Sequence, residues 1–294
     1  MNNKTAIRYA ILAALLYAIS TPFSKLLMEK LPPAIIAGLL YLGAGIGMSV
    51  VQCFSKRTKK DTAGFSHSDF PFLAGMVVLD IAAPILLMVA IKNSSAESVS
   101  LLNNFEIVAT SIIALLFFKE KISPRLWCGI VFITLASILL SLDDISSFSI
   151  SAYSLYAVLA CICWGLENNC TRKFSHNDPA KIVIIKGFGS GTGSLLVAIL
   201  IGNRITFTPY ILWSLLLGFV AYGLSIYFYV YAQRYIGAAK TSAFYALAPF
   251  IGAILSICIF PKIPSLLLVI AFSVMAAGAF LASHEREDNK NEQT

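Results

Sequence analysis

Long apolar runs, each about 20 residues and separated by short polar punctuation, fill the chain from end to end. A membrane-crossing helix needs roughly 20 mainly apolar residues, and ten segments meet that description: 6–28, 33–54, 70–92, 97–118, 124–142, 151–172, 179–202, 209–233, 238–260 and 264–283. The connections are short, apart from Ser55 to Asp69, and a polar tail follows Ala282. The pattern predicts an all-α integral membrane protein of ten transmembrane helices.

Composition agrees. Of 294 residues, 58% are hydrophobic and only 13% charged, whereas soluble domains run about 45–50% apolar and about 25% charged. No stretch is left over to build a soluble domain, which excludes most soluble enzymes. The net charge of +7 sits in small clusters beside the apolar runs, so no basic surface for nucleic acid is expected. Lys4 and Arg8 precede the first run as they would in a signal peptide. No small-x-small cleavage site follows, and 6–28 is expected to be a retained first helix.

The charges also predict orientation. With the N-terminus on the cytoplasmic side, sixteen of the 22 basic residues fall in cytoplasmic segments, five fall outside, and Lys186 lies inside a span. This is the positive-inside bias. Both termini are expected in the cytoplasm of a cell with the protein in its plasma or inner membrane, and the Asp143–Asp144 loop is expected outside.

A search for internal repetition finds two halves. A shift of 147 residues overlays Tyr17 on Trp164, Lys25 on Arg172 and Pro32 on Pro179; a shift of 142 overlays Ala90–Ser100 on Ala232–Ser242 and Ser123 on Ser265. Each half has five spans. An odd number forces the second half to enter the membrane upside down, as in inverted-repeat transporters with a site near the midplane. The expected units are residues 1–147, residues 148–283 and a polar tail, 284–294.

Two short motifs then carry a resemblance. Phe117-Phe118-Lys119-Glu120-Lys121-Ile122-Ser123 closes the fourth span, and Pro249 lies within Tyr245-Ala246-Leu247-Ala248-Pro249-Phe250. Together with two five-helix halves, the chain resembles the drug/metabolite transporter superfamily, in particular its EamA-like members. The resemblance implies a central cavity that opens alternately to each side and is lined by helices 1, 3, 4, 6, 8 and 9. It also implies export of a small metabolite, an amino acid or an amphipathic cation. Glu106 close to the counterpart of Pro249, and Lys262 where a second Glu is expected, depart from the family pattern.

Ionisable side chains inside spans cost about 2.5–3.5 kcal/mol on insertion scales and so mark functional positions. Glu106 lies near the midplane of the fourth span, with Asn103 one helical turn before it. Its roles are proton coupling or binding of a cationic substrate; the alternative is a neutral carboxyl bonded to a neighbouring helix. Glu167 follows Trp164 by three residues in the sixth span and matches Lys186 of the seventh in depth, so the two are expected to pair as a clamp or as a switch. Asp80 is expected either to line the cavity or to cap a helix broken at Pro84. Tyr222 and Tyr245 are deep enough to line a pocket, while Tyr227, Tyr229 and Tyr231 read as an interfacial belt. Carried over from the resemblance, the lining adds Tyr17, Ser20, Thr21 and Trp164. Gly187, Gly189, Gly191 and Gly193 read as a close-packing face.

Six cysteines and three histidines show no metal-type spacing, and no cofactor, metal or enzymatic activity is expected. No nucleotide-binding motif is present, so uphill movement would use an ion gradient or exchange, with protons the simplest coupling ion. The expected partners are a small-molecule substrate and the lipid bilayer, with the chain a monomer or homodimer. An importer of the same fold, a lipid-modifying membrane enzyme and a structural membrane subunit are the alternatives.

Overall fold

The computed structural model describes residues 3–54, 69–118, 123–144, 149–172, 177–261 and 263–283. Lys119 to Ile122 of the family-like motif, Lys262, most of the 55–69 connection and the tail after Ser283 therefore lie outside the described residues. Apart from a small antiparallel pair, β1 (Leu142–Asp144) with β2 (Ser149–Ile150), the described secondary structure is helical.

The first apolar run forms α1 (Asn3–Ala18) and α2 (Ser20–Leu27), and the second forms α3 (Pro33–Phe54). Then come α4 (Phe70–Asn93), α5 (Ala96–Leu102), α6 (Phe105–Phe118) and α7 (Pro124–Ser141). In the second half α8 (Ala152–Arg172) and α9 (Pro179–Leu200) precede α10 (Pro209–Gly218). A π-helical turn at Phe219–Leu224 joins α10 to α11 (Ser225–Tyr245), and α12 (Ala248–Ile259) and α13 (Leu266–Ser283) end the described chain.

Among the described residues, seven helical segments are long and apolar enough to cross a membrane: Lys4–Leu27, Pro33–Phe54, Phe70–Asn93, Ala96–Phe117, Pro124–Ser141, Pro179–Leu200 and Pro209–Ala232. The difference from ten has physical causes. Helix α8 is long, but Glu167, Asn168 and Asn169 lower its hydropathy; Ala248–Ile259 and Leu266–Leu281 are apolar but short. Outward faces are oily. Val131, Leu135 and Ile138 follow one another at helical spacing on α7 and are each roughly half exposed, a surface that suits lipid and not water. The chain is a multi-pass membrane protein.

Breaks in the helices have identifiable causes. Pro22 and Pro249 cannot donate the hydrogen bond that would continue a helix, and the chain turns just before each, at Ile19 and at Ala246–Leu247. The break after Leu102 has no proline. There Asn103 and Asn104 supply the turn, and Asn104 Nδ2 donates to the Leu101 carbonyl at 3.3 Å, the local competition that keeps asparagine out of helix interiors. Two expectations are corrected here. The predicted separation between residues 233 and 238 does not occur, because that polar stretch holds no proline and α11 continues to Tyr245. Pro84 does not break α4, which runs through it.

Packing is closest where glycines meet. A Cβ on Gly187 would lie 2.4 Å from Gly45 Cα, and one on Gly191 2.7 Å from the Leu42 backbone nitrogen, so α3 and α9 touch almost backbone to backbone. Gly43 and Gly218 do the same for α3 against α10, each with a carbonyl oxygen 2.0 Å from its would-be Cβ. Elsewhere α4 packs on α8, α1 on α11, α7 on α13 and α5 on α12. Ser100 of α5 donates to the Pro249 carbonyl at 2.9 Å. Lys25, at the end of α2, reaches the C-terminus of α4 and donates to the carbonyls of Ile91, Lys92 and Ser94, a cation at the negative end of a helix.

Candidate functional site

Helix α8 turns two neighbouring residues, Glu167 and Asn168, into two different polar clusters. Glu167 enters the first. Its Oε1 lies 2.6 Å from Lys186 Nζ on α9, and Lys186 also lies 3.3 Å from Asp80 Oδ2 on α4. Tyr41 of α3 donates to Asp80 Oδ1 at 2.8 Å, and Thr171 donates to Glu167 Oε1. All three charged residues are buried: Asp80 is 0% exposed, Glu167 2% and Lys186 6%. One lysine thus answers two carboxylates, and four helices are tied through it.

The glycine seam explains how the lysine gets there. With α3 and α9 in backbone contact at Gly45 and Gly187, Lys186 is carried past α3 into the space beside Asp80. The absence of side chains at Gly187 and Gly189 lets α9 approach its neighbours closely enough for the ion pairs to form.

Asn168 enters the second cluster. Its Nδ2 donates to Glu106 Oε1 at 2.6 Å and lies 3.4 Å from Thr110 Oγ1, so α8 is joined to α6. Also on α8, Asn169 donates to the carbonyls of Gly165 and Thr110. A group of rings gathers from α1, α3, the π-helical turn and α11. Tyr17 lies with its centroid 5.8 Å from Tyr222 and 5.6 Å from Tyr245, and Tyr222 is 5.2 Å from Tyr41. Tyr222 sits in the π-helical turn, a distortion that often re-aims a side chain at a functional site.

The expected residues divide between these clusters. Asp80, Glu167 and Lys186 meet in one; Glu106 belongs to the other, and Tyr17, Tyr222 and Tyr245 group with one another. Asp80 thus faces the bundle interior and caps no broken helix. Asn103 is not on one continuous face with Glu106, because the turn at Asn103–Asn104 separates α5 from α6. Its carbonyl instead lies 3.8 Å from Cys161 Sγ. Thr21 and Ser20 are buried in α2. Trp164 packs within the apolar core. Tyr229, read as part of a belt, stands edge-on to Tyr245 with centroids 4.9 Å apart. Missed altogether were Tyr41, Thr110, Asn168 and Thr171. Only Asn168 left a usable trace, as a polar residue beside Glu167 in an apolar run.

The sequence matches the EamA-like transporter family twice, over residues 4–142 and 151–284. The chain belongs to the EamA-like transporter family. It is therefore a membrane transporter, with a small-molecule substrate and the bilayer as its surroundings, and the family lies within the drug/metabolite transporter superfamily. An uncharacterized transporter of Methanothermobacter thermautotrophicus is 25% identical over 290 residues, covering 92% of this chain and 84% of the relative. Bacillus subtilis strain 168 has an uncharacterized transporter, YyaM, that is 25% identical over 222 residues, 72% of each chain. Among solved structures, the crystal structure of another protein superposes with a TM-score of 0.69 at 16% identity over 95% of both chains. That likeness is one of fold.

Proposed function

We propose that this EamA-like protein is a secondary transporter that exports a small metabolite, an amino acid or an amphipathic cation, by alternating access between two inverted five-helix repeats. Residues 1–147 form one repeat, 148–283 the other, and 284–294 a cytoplasmic tail. Both termini face the cytoplasm across the cell membrane. Ten spans follow if α8, α12 and α13 cross with the seven more apolar segments.

Helix positions support the repeat. A shift of 142 carries α7 onto α13 and α6 onto α12 to within one residue at each end. The breaks after Leu102 and Tyr245 differ by 143. Helix partnerships are those that a two-fold axis in the membrane plane would give: α4 packs on α8 as α11 packs on α1, while α3 with α9 and α7 with α13 are equivalent elements paired across the axis.

The observation that carries the transport site is the pair of polar clusters assembled from both halves. Asp80 and Glu106 come from the first; Glu167, Asn168 and Lys186 come from the second. To these the proposed lining adds Tyr17, Thr21, Asn103, Trp164, Tyr222 and Tyr245. Buried ionisable groups between repeats are where transporters bind and couple. Glu106 is the coupling group, exchanging a proton against substrate.

Reconstitution into vesicles loaded with a panel of metabolites tests this, with efflux followed under an imposed pH gradient. Export of one panel member that depends on that gradient is the expected result. Gradient-independent exchange removes the proton, and uptake without efflux favours an importer. For topology, Ser123→Cys and Arg204→Cys, placed singly in a background without the six native cysteines, should label only from inside and only from outside, respectively. The opposite pattern sinks the orientation.

A further inference from the structure

Helix α2 is a separate rod of eight residues. On one side Pro22 has no N–H for the Ala18 carbonyl four residues back, and the chain turns at Ile19. On the other, the helix ends at Leu27 and a turn leads to Pro32 and Pro33. Its faces are sorted. Phe23 and Leu26, 43% and 39% exposed, lie on the side left for lipid. Ser20, Thr21 and Ser24 are buried on the opposite side, within one turn of each other.

That inner face is unlike the other small polar positions in the spans. Ser137, Ser214 and Ser256 each donate to the carbonyl four residues back in their own helix, at 2.8, 2.8 and 2.7 Å. Ser24 is 0% exposed, and its hydroxyl has no partner among the described residues. A hydroxyl stranded inside a protein is costly. A face that meets water in a second arrangement of the helix recovers that cost there.

Lys25 holds the rod in place. Its ammonium donates to the carbonyls of Ile91, Lys92 and Ser94, the latter two at 2.8 Å, one acceptor for each of its N–H groups. Those carbonyls belong to the end of α4 and the turn into α5, so the contact crosses from the rod to a neighbouring helix hairpin. Helices α3 and α9 run antiparallel, with Gly38 against Leu195 and Gly45 against Gly187. Lys186, near the start of α9, therefore lies toward one end of the bundle, and Lys25, just before α3, toward the other. Behind α2 the broken spans touch. A Cβ on Gly252 of α12 would lie 3.0 Å from the Ala18 carbonyl oxygen and would also strike Ser100 Oγ of α5.

We infer that α2 is a hinged gate at the end of the bundle remote from the triad, latched shut by Lys25, and that opening brings Ser20 and Ser24 into water. The inference rests on the transporter reading and adds to it the element that moves and the contact that must break.

Thiol accessibility of the full-length protein in lipid nanodiscs tests the gate without any transport step, because both membrane faces are open to the reagent. The background lacks the six native cysteines. Into it go Ser24→Cys or, as the control, Ser214→Cys, which replaces a buried serine of α10 that is bonded to its own helix. Cationic and anionic methanethiosulfonates are used in parallel, so that the charge lost with the lysine does not set the rate. Lys25→Met should speed reaction at Ser24→Cys by about tenfold or more, since the closed state loses hydrogen bonds from a charged donor. Lys25→Arg, which keeps the donors, should change it far less, and Ser214→Cys should stay slow throughout. An unchanged rate at Ser24→Cys overturns the latch. Equal acceleration at Ser214→Cys overturns the gate, because the whole bundle has then loosened. A second variant works even if Lys25→Met does not fold. Lys25→Cys with Ser94→Cys, bridged by a short bis-methanethiosulfonate, should stop solute movement in vesicles, and reduction should restore it; undiminished movement by the bridged protein overturns the gate. If labelling follows the latch while vesicles carry no solute, the gate stands and the transporter reading falls. If vesicles carry solute while Ser24→Cys stays sealed in Lys25→Met, the gate falls and the transporter reading stands.

Discussion

Glu167 and Asn168 are adjacent on α8, yet they serve two regions of opposite character. The Asp80–Lys186–Glu167 triad is closed. Each charge has an oppositely charged partner, two hydroxyls add hydrogen bonds, and backbone contact between α3 and α9 seals it. Around Glu106 the carboxylate accepts from an amide, no basic side chain is paired with it among the described residues, and surface remains accessible. Charge that is answered inside the protein holds helices together, whereas charge left unanswered is available to a ligand. Under the proposed repeat the triad is also one-sided: a shift of 147 places Ser20 and Leu39 opposite Glu167 and Lys186, and a shift of 142 places Tyr222 opposite Asp80. The counterpart holds no charge, so the ion pairs secure one face of the bundle and not the other.

Removing the lysine should break this comparison most severely. Lys186→Met leaves two buried carboxylates without a cation, and loss of one partner of a buried pair costs about 3–5 kcal/mol. Glu167→Gln leaves Lys186 on Asp80 and should cost less. The double variant should be more stable than Lys186→Met alone, because one stranded charge is gone. A double-mutant cycle read by melting in detergent measures the coupling; additive losses would mean that Lys186 and Glu167 act independently.

The glycine seam comes next. Gly187→Ala puts a methyl group where Gly45 Cα lies 2.4 Å away, and backbone cannot step aside as a side chain can. Overpacking of this kind costs about 1–3 kcal/mol, and here it should also pull Lys186 away from Asp80. Gly75→Ala is the control, since its nearest neighbour, Cys170 Sγ, is at 3.5 Å. A Gly187→Ala protein that melts with Gly75→Ala would show that the seam does not set the distance.

Much of the helical layout was legible in the chain because the length of an apolar run is a local signal. Glu167 with Lys186 could be read from depth alone, as both lie close to one short connection. Asp80 and Tyr41 could not be added to them. Helices α3 and α4 are apolar nearly all round, so no polar stripe tells which face looks inward. The turn before Pro249 and the continuous α11 failed together: a polar stretch at 233–240 resembles a loop, but helices end where hydrogen bonding fails, and that happens at the proline. Asn103 and Glu106 looked like one face only while the helix was taken as unbroken.

A smaller effect sharpens the closed side. Tyr41→Phe removes the donor to Asp80 Oδ1 and leaves the ring in place against Tyr222. Hydrogen bonds to charged groups contribute about 1.5–3 kcal/mol, and Lys186 still faces the other oxygen, so the lower end of that range is expected in melting. A loss equal to that of Lys186→Met would mean that the phenol, and not the lysine, carries the cluster.

The smallest effect on stability should come from Glu106, more accessible than the carboxyls of Asp80 and Glu167. Glu106→Gln keeps the size of the side chain and an oxygen to accept from Asn168, and it strands no cation, because none is paired with it among the described residues. Melting should therefore shift little. Transport should nevertheless fail, since the amide can neither release a proton nor oppose a positive charge. Triad variants should show the reverse, losing stability in step with activity. A Glu106→Gln protein that loses as much stability as Lys186→Met would place Glu106 among the structural charges and erase the distinction between the two regions. One that keeps its fold and still moves solute uphill at the parental rate, with the same response to pH, would show that the open carboxylate is not the one that couples.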